Sequence, residues 1–318
     1  MSHPPVDAPT MVAERSADGE LAEATLPMRM EDAEAPVSRP RRGEVLGRYV
    51  VLDVLGEGGM GVVYAAYDPE LDRKVALKLV KYAPISGEDT AGRSRLMREA
   101  QALARLTHPN VVAVYDVGML EHSVFVAMEF VEGRTVAQWI ERRHAERPPS
   151  WREVLSVMVP AGRGLEQAHA AGIVHRDFKP ENVMLADSGR VVVLDFGLAR
   201  ATEGGPPSLG EVDVSLTSSR SAGVMLDRLT ATGSVMGTPA YMSPEQIGAG
   251  TSDEASDQFS YCVSLYHALY GSRPFAGRTL PELSDALLAG TVEAAPKGSK
   301  VPAWLRRVVL RGLSVDPA

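Results

Sequence analysis

The sequence predicts an α+β protein of two unequal lobes, a small strand-rich lobe followed by a larger, mainly helical one. Three observations lead to this reading. From Tyr49 to Val131 the chain is built of β-branched and aromatic runs, interrupted by a single stretch with helical spacing. Beyond Gly133 the apolar spacing turns helical. The glycine cluster "LGEGGMGVV" (Leu55 to Val63) lies between two strand-like runs, so it turns back on itself instead of leading a strand into a helix.

Taken in order, the first element is a leader. Residues 1–47 hold no aromatic residue and are rich in Pro, Ala, Glu and Asp, a composition that buries too little apolar surface to offset ordering entropy, so disorder is expected there. The run "RPRR" (Arg39 to Arg42) in this leader reads as solvated charge. "YVVLDVLGEGGMGVVYAAYD" and "KVALKLV" then predict three antiparallel strands. "GRSRLMREAQALARL" (Gly92 to Leu106) sets Leu96, Ala100, Leu103 and Leu106 at helical spacing. "VVAVYDVGML" and "HSVFVAMEFV" add two strands, completing an expected five-stranded sheet with one main helix over residues 48–132. In 133–318, helices are expected near Val136 to Arg143, Trp151 to Ala171, Asp253 to Tyr270, Leu280 to Ala289 and Val301 to Leu313. The stretch from Gly204 to Thr230 lacks periodicity and is rich in Gly, Ser and Pro, which marks a long loop.

Composition narrows the function. With 318 residues, 45% hydrophobic and 23% charged, the chain can bury a large core. Its formal net charge of −8 argues against nucleic acid as a main partner, since phosphate binding wants a basic surface. Cys262 is the single cysteine, so no intrachain disulfide and no thiolate metal cage can form, which suits a reducing compartment. No apolar run approaches the about 20 residues of a spanning helix, and "MSHPPVDAPT" lacks the apolar centre of a secretion signal, so the expected location is cytoplasmic.

The chemistry lies in four motifs. "LGEGGMGVV" fits G-x-G-x-x-G-x-V, where Gly56, Gly58 and Gly61 let the backbone approach phosphates closely. Seventeen residues after Gly61, Lys78 sits in the strand "VALK"; alternation leaves its direction open, but Glu99 in the following helix is an available partner. "HRDFKPEN" (His175 to Asn182) packs charge between the apolar runs "GIV" and "VML", and needs partners for it. "VMLADSGRVVVL" reads as a hairpin that brings Asn182 to Asp195 of "DFGLAR", two hard oxygen donors of the kind magnesium prefers. A chance co-occurrence of all four in this order is negligible.

With "HRDFKPENVML", "DFGLAR" and "GTPAYMSPEQ", the chain resembles the protein kinase family, and most of all its bacterial eukaryotic-like serine/threonine kinases. The resemblance runs from about Arg48 to the last residue and implies the bilobal protein kinase fold. It implies that Leu55, Gly56, Glu57, Gly58, Gly59, Met60, Gly61, Val62 and Val63 cover the phosphates of ATP while Lys78, held by Glu99, contacts the α- and β-phosphates. Asp177 becomes the catalytic base, Lys179 neutralises the transferring group, and Asn182 and Asp195 hold Mg²⁺, with Mn²⁺ as a substitute. Met128 becomes the gatekeeper, the backbone of Glu129 and Val131 bonds adenine, and Val63, Ala76 and Met184 sandwich the ring. Lys179 with Thr238 of "GTPAY" implies serine and threonine acceptors on protein substrates. Thr230 and Thr232 fall where related kinases autophosphorylate, with Arg176 and Arg200 as receivers of the phosphate. Pairing of two copies for phosphorylation in trans is a further implication.

Three departures accompany the resemblance. Phe178 stands where leucine is usual, and Cys262 where glycine is. The arginine that the family pairs with Glu245 of "SPE" is absent, so the chain is expected to stop just short of the domain's end. A binding module that holds nucleotide without chemistry is the rival reading; retention of Lys78, Asp177, Asn182 and Asp195 together weighs against it.

Overall fold

A computed structural model describes residues 40–58, 61–80, 90–120, 123–196, 238–248, 252–277 and 279–316. The first lobe is an antiparallel sheet of β1 (Val45–Leu46), β2 (Tyr49–Gly58), β3 (Gly61–Asp68), β4 (Arg73–Val80), β5 (Val114–Leu120) and β6 (Ser123–Glu129), in the order β1-β2-β3-β4-β6-β5. Helix α1 (Thr90–Ala104) packs on it. Six strands replace the five expected. The extra one, β1, falls inside the segment expected to be disordered: Gly47, with φ 60°, turns the chain so that Val45 and Leu46 pair with Val50 and Tyr49. A two-residue strand carries too little pattern to be seen from composition.

Both faces of this sheet are covered, which settles where Lys78 points. Val75 and Leu77 of β4 join a cluster with Tyr49, Val51, Tyr64 and Ala127 on one face. Ala76 and Val80 join Leu96, Ala100, Val126 and Met128 on the other. Lys78 shares the second face by strand alternation and is only 6% exposed.

The second lobe opens with a small sheet of β7 (Gly133–Thr135), β8 (Val183–Ala186) and β9 (Val191–Val193). Its helices are α2 (Val136–Glu146), α3 (Trp151–Ala170), α4 (Pro244–Ile247), α5 (Glu254–Tyr270), α6 (Leu280–Leu288) and α7 (Ala303–Gly312). The expected helices all form, with ends displaced by at most three residues. Helices α2 to α6 begin at Thr135, Ser150, Ser243, Asp253 and Thr279, each in a reciprocal capping box that satisfies two orphan amides. Helix α5 is buried nearly all round and forms the axis of the core, with Phe259, Val263 and Tyr266 packed against α3 residues such as Val157, Met158 and Ala161.

Cys262 fits on this axis because of the residue facing it. A Cβ placed on Gly312 would lie 2.3 Å from the Cys262 sulfur, so a glycine in α7 makes the room that the family's glycine in α5 would have made. Gly312→Ala is expected to cost about 1–3 kcal/mol from overpacking, and Cys262→Ala in the same chain to recover most of that loss. Urea unfolding of the two single variants and the double variant measures it; additive losses would show that the two residues do not oppose each other.

Candidate active site

The stretch His175–Asn182 leaves α3 through Gly172, whose φ of 72° turns the chain. Its backbone then rests on a carboxylate of α5. Asp257, 1% exposed, accepts the amides of His175 at 2.6 Å and Arg176 at 2.7 Å, and bonds His169 Nε2 at 2.8 Å. Asp257 thus braces the loop backbone, and His169 adds a contact that sequence reasoning missed. Arg176 adopts φ 66°, a left-handed conformation that costs a non-glycine residue about 1–3 kcal/mol and persists where contacts over-determine it. Its carbonyl accepts the buried amide of Gln246 at 2.7 Å, tying α4 to the loop. Gln246, three residues after Ser243 in a capping box, was also missed.

The apolar members of the stretch face inward. His175 stacks 4.7 Å from Phe196 and 5.6 Å from Phe178, and Phe178 lies 5.7 Å from Tyr261. His175 Nε2 donates to the Leu194 carbonyl at 2.8 Å while Nδ1 accepts the Asp177 amide at 3.3 Å, which is the neutral tautomer; burial lowers its pKa accordingly. His175 is therefore a packing residue.

The polar members converge. Lys179 Nζ lies 2.7 Å from Asp177 Oδ2. The Asn182 amide nitrogen donates to the Asp177 carbonyl at 2.8 Å and to Oδ2 at 3.1 Å. The expected hairpin forms from β8 and β9, and the Leu194 amide donates to the Asn182 carbonyl at 2.8 Å, which carries Asp195 to the same edge. Asp195, at φ 55°, meets Lys78 Nζ at 2.9 Å. Residues more than a hundred positions apart in sequence thus share one polar cluster.

One pairing differs from expectation. Glu99 meets Arg176 Nη1 at 3.2 Å instead of Lys78, whose ammonium is taken by Asp195. Two cations and two carboxylates admit two neutralising pairings, and motif spacing carries no information on which is lower in energy. The other Glu99 oxygen is buried without a hydrogen-bond partner among the described residues.

The apolar pocket residues gather beside this cluster. Val63, Val131 and Met184 pack against the buried group of Ala76 and Met128. Leu55, Gly56, Glu57 and Gly58 are exposed along β2, and Val62 is buried. At Gly61, with φ 143°, a Cβ would lie 1.9 Å from the Leu79 carbonyl oxygen, so only glycine fits. At Gly56 and Gly58 nothing among the described residues lies within 4 Å of a Cβ. Gly59, Met60, Arg200, Thr230 and Thr232 lie outside the described residues, and Thr238 opens the turn Thr238–Tyr241.

The Protein kinase domain model matches residues 49–317. The chain belongs to the protein kinase family. Serine/threonine-protein kinase PrkC of Bacillus subtilis is 34% identical over 274 residues, 86% of this chain and 38% of that protein. Serine/threonine-protein kinase PknL of Mycobacterium tuberculosis is 39% identical over 230 residues, 72% of this chain and 51% of that protein. A crystal structure of the M. tuberculosis PknI kinase domain superposes with a TM-score of 0.61 at 26% identity, covering 88% of this chain and 92% of that one. The chain thus has the bilobal kinase fold, and it spans well under two thirds of the two curated relatives' length. No helix among the described residues is long and apolar enough to cross a membrane.

The turn Thr238–Tyr241 contains a titratable contact. The Tyr241 hydroxyl lies 3.0 Å from His267 Nδ1, and burial together with the nearby Arg273 pushes the His267 pKa down to about 4. A histidine whose pKa is lower folded than unfolded leaves stability intact above about 6.5 and erodes it below, because the unfolded chain binds the proton first. Between about 6.5 and 4 this group should contribute a loss approaching 1.4 kcal/mol per pH unit. In His267→Asn that contribution is expected to vanish. Urea midpoints of both proteins across this range test it, and parallel curves would contradict it.

Proposed function

We propose that this chain transfers the γ-phosphate of ATP to serine and threonine hydroxyls of protein substrates, with Mg²⁺ as the working cation. The observation that carries the proposal is the cluster of Asp177, Lys179 and Asn182 beside the Lys78–Asp195 pair. The names of the relatives agree with it.

The residues fit a divalent cation. With the Asn182 nitrogen committed to Asp177, its amide oxygen is the atom left for ligation, and Asp195 offers a partly exposed carboxylate; hard oxygens of this kind suit Mg²⁺, with Mn²⁺ as a substitute. When bound, the metal would neutralise charge on the phosphate oxygens. Asp177 accepts the hydroxyl proton of the substrate and orients the oxygen for in-line attack. Lys179, now on the Asp177 carboxylate, offsets the charge of the group in transfer. Lys78 holds the α- and β-phosphates. Packing among the described residues gives no reason for glycine at Gly56 and Gly58, whereas close approach of phosphates does. Val63, Ala76, Met128, Val131 and Met184 enclose adenine, with the backbone of Glu129 and Val131 as its partners, and Thr238 lines the acceptor side.

Activation follows from the observed pairing. Arg176 now neutralises Glu99. A phosphate of charge −1.5 to −2 on Thr230 or Thr232 is the stronger ligand for Arg176, with Arg200 as a second receiver, and it would release Glu99 to Lys78. The buried, unpaired oxygen of Glu99 supports that exchange. Transfer between two copies would supply the phosphate. One buried free cysteine agrees with a cytoplasmic location.

Asp177→Asn is expected to lower transfer of labelled phosphate from ATP by at least about 100-fold while nucleotide still binds. Undiminished transfer in the variant, or nucleotide binding without transfer in the wild type, overturns the proposal. Mass spectrometry of the chain expressed alone should find phosphate on Thr230 or Thr232 in the wild type only. Its absence from both proteins removes the autophosphorylation step.

A further inference from the structure

Among the charge pairs of the described residues that the chemistry above does not use, one joins the two lobes. The Glu129 carboxylate pairs with the Arg190 guanidinium, the carboxylate 22% and the guanidinium side chain 36% exposed. Glu129 ends β6 and belongs to the first lobe's sheet, where its amide bonds the Ala113 carbonyl at 2.8 Å. Arg190 closes the turn between β8 and β9 in the second lobe, its carbonyl accepting the Ala186 amide at 2.9 Å. The pair therefore spans the lobe boundary.

A second set of contacts holds the segment that joins the two sheets. Glu132, just before β7, lies 4.0 Å from Lys74 Nζ of β4, and that ammonium sits 3.8 Å from the centre of the Phe130 ring. The Glu132 carbonyl also accepts the Asp187 amide of the β8–β9 turn at 3.0 Å. Residues 129–132 are thus held from both lobes. Lys74 and Glu132 are 43% and 73% exposed, so their ion pair is weakly held; the more sheltered Arg190–Glu129 pair is the stronger tie.

We propose that Arg190 is a positioning residue for nucleotide, acting through Glu129. This rests on the reading of the site as an ATP site. Arg190 is rooted in the hairpin that carries Met184, and Glu129 is the neighbour of Met128; the pair fixes the spacing between two walls of the apolar pocket. It fixes as well the peptide at Glu129 proposed to meet adenine. A surface-type ion pair adds little to global stability. Restraining a hinge asks less of it, because a threefold change in affinity needs only a small energy.

The test is ADP affinity by calorimetry, with KM and kcat for ATP, on the whole chain. Arg190→Ala should weaken ADP binding and raise KM for ATP by about three- to tenfold. Its kcat at saturating ATP should change by less than twofold. Arg190→Lys should keep most of the affinity, and the exchange Glu129→Arg with Arg190→Glu should restore at least half of the loss. Unchanged ADP affinity in a folded Arg190→Ala overturns the proposal, as does an exchange variant no better than the single one. A wild-type chain that binds no ADP overturns the ATP-site reading along with it.

Discussion

Helix α5 buries a carboxylate that it does not itself need. Asp257 sits in the first turn, where the helix dipole favours negative charge, yet its oxygens are spent on the amides of another segment, His175 and Arg176. Hydrogen bonds to a charged acceptor are worth about 1.5–3 kcal/mol each, and leaving buried amides unpaired would cost a similar amount. The pair is thus enough to hold Arg176 in a left-handed conformation that its side chain disfavours. From that one strained residue follow the direction of the Arg176 carbonyl toward Gln246 and the emergence of Asp177 on the open side of the loop. Without the carboxylate the two amides of the loop lose their buried acceptor.

Charge in this site is neutralised in pairs. Lys78 with Asp195, Arg176 with Glu99, and Lys179 with Asp177 leave no net excess among these six groups. Partly buried charges cannot stand alone at this depth. In the activation step proposed above, a phosphate would displace one of these pairings because it is the more highly charged ligand.

The elements and the motif residues were legible because they rest on periodicity and on fixed spacing. Helix α1 could be read from Leu96, Ala100 and Leu103, and these residues do face the core. The hairpin that joins Asn182 to Asp195 could be read from its turn. What could not be read depends on distance in space. The partner of Glu99 is a choice among charges that are near only in the folded chain. Lys78 looked ambiguous because alternation names two faces without saying that both are covered. His169, Gln246 and Arg190 act through single hydrogen bonds or ion pairs to far-off segments, and no local pattern marks such residues. Strand β1 was hidden by its length.

The stretch "HRDFKPEN" now has a physical explanation for its mixture of charge and apolar neighbours. His175, Phe178 and Pro180 are buried, and with Phe196 and Tyr261 the first two form an aromatic plug. Arg176, Asp177 and Lys179 lie between them and face the other way. A leucine at position 178 would fill the plug, but phenylalanine brings a ring that meets His175 edge-on and reaches Tyr261 on α5. The plug fixes the loop from below as Asp257 fixes it from within the backbone. The left-handed residues Arg176 and Asp195 stand on either side of the stacked His175 and Phe196, at the two places where the chain must reverse to keep its rings inside and its charges out. The alternation that looked like misplaced charge is the pattern of a loop with two faces, one packed and apolar, the other charged.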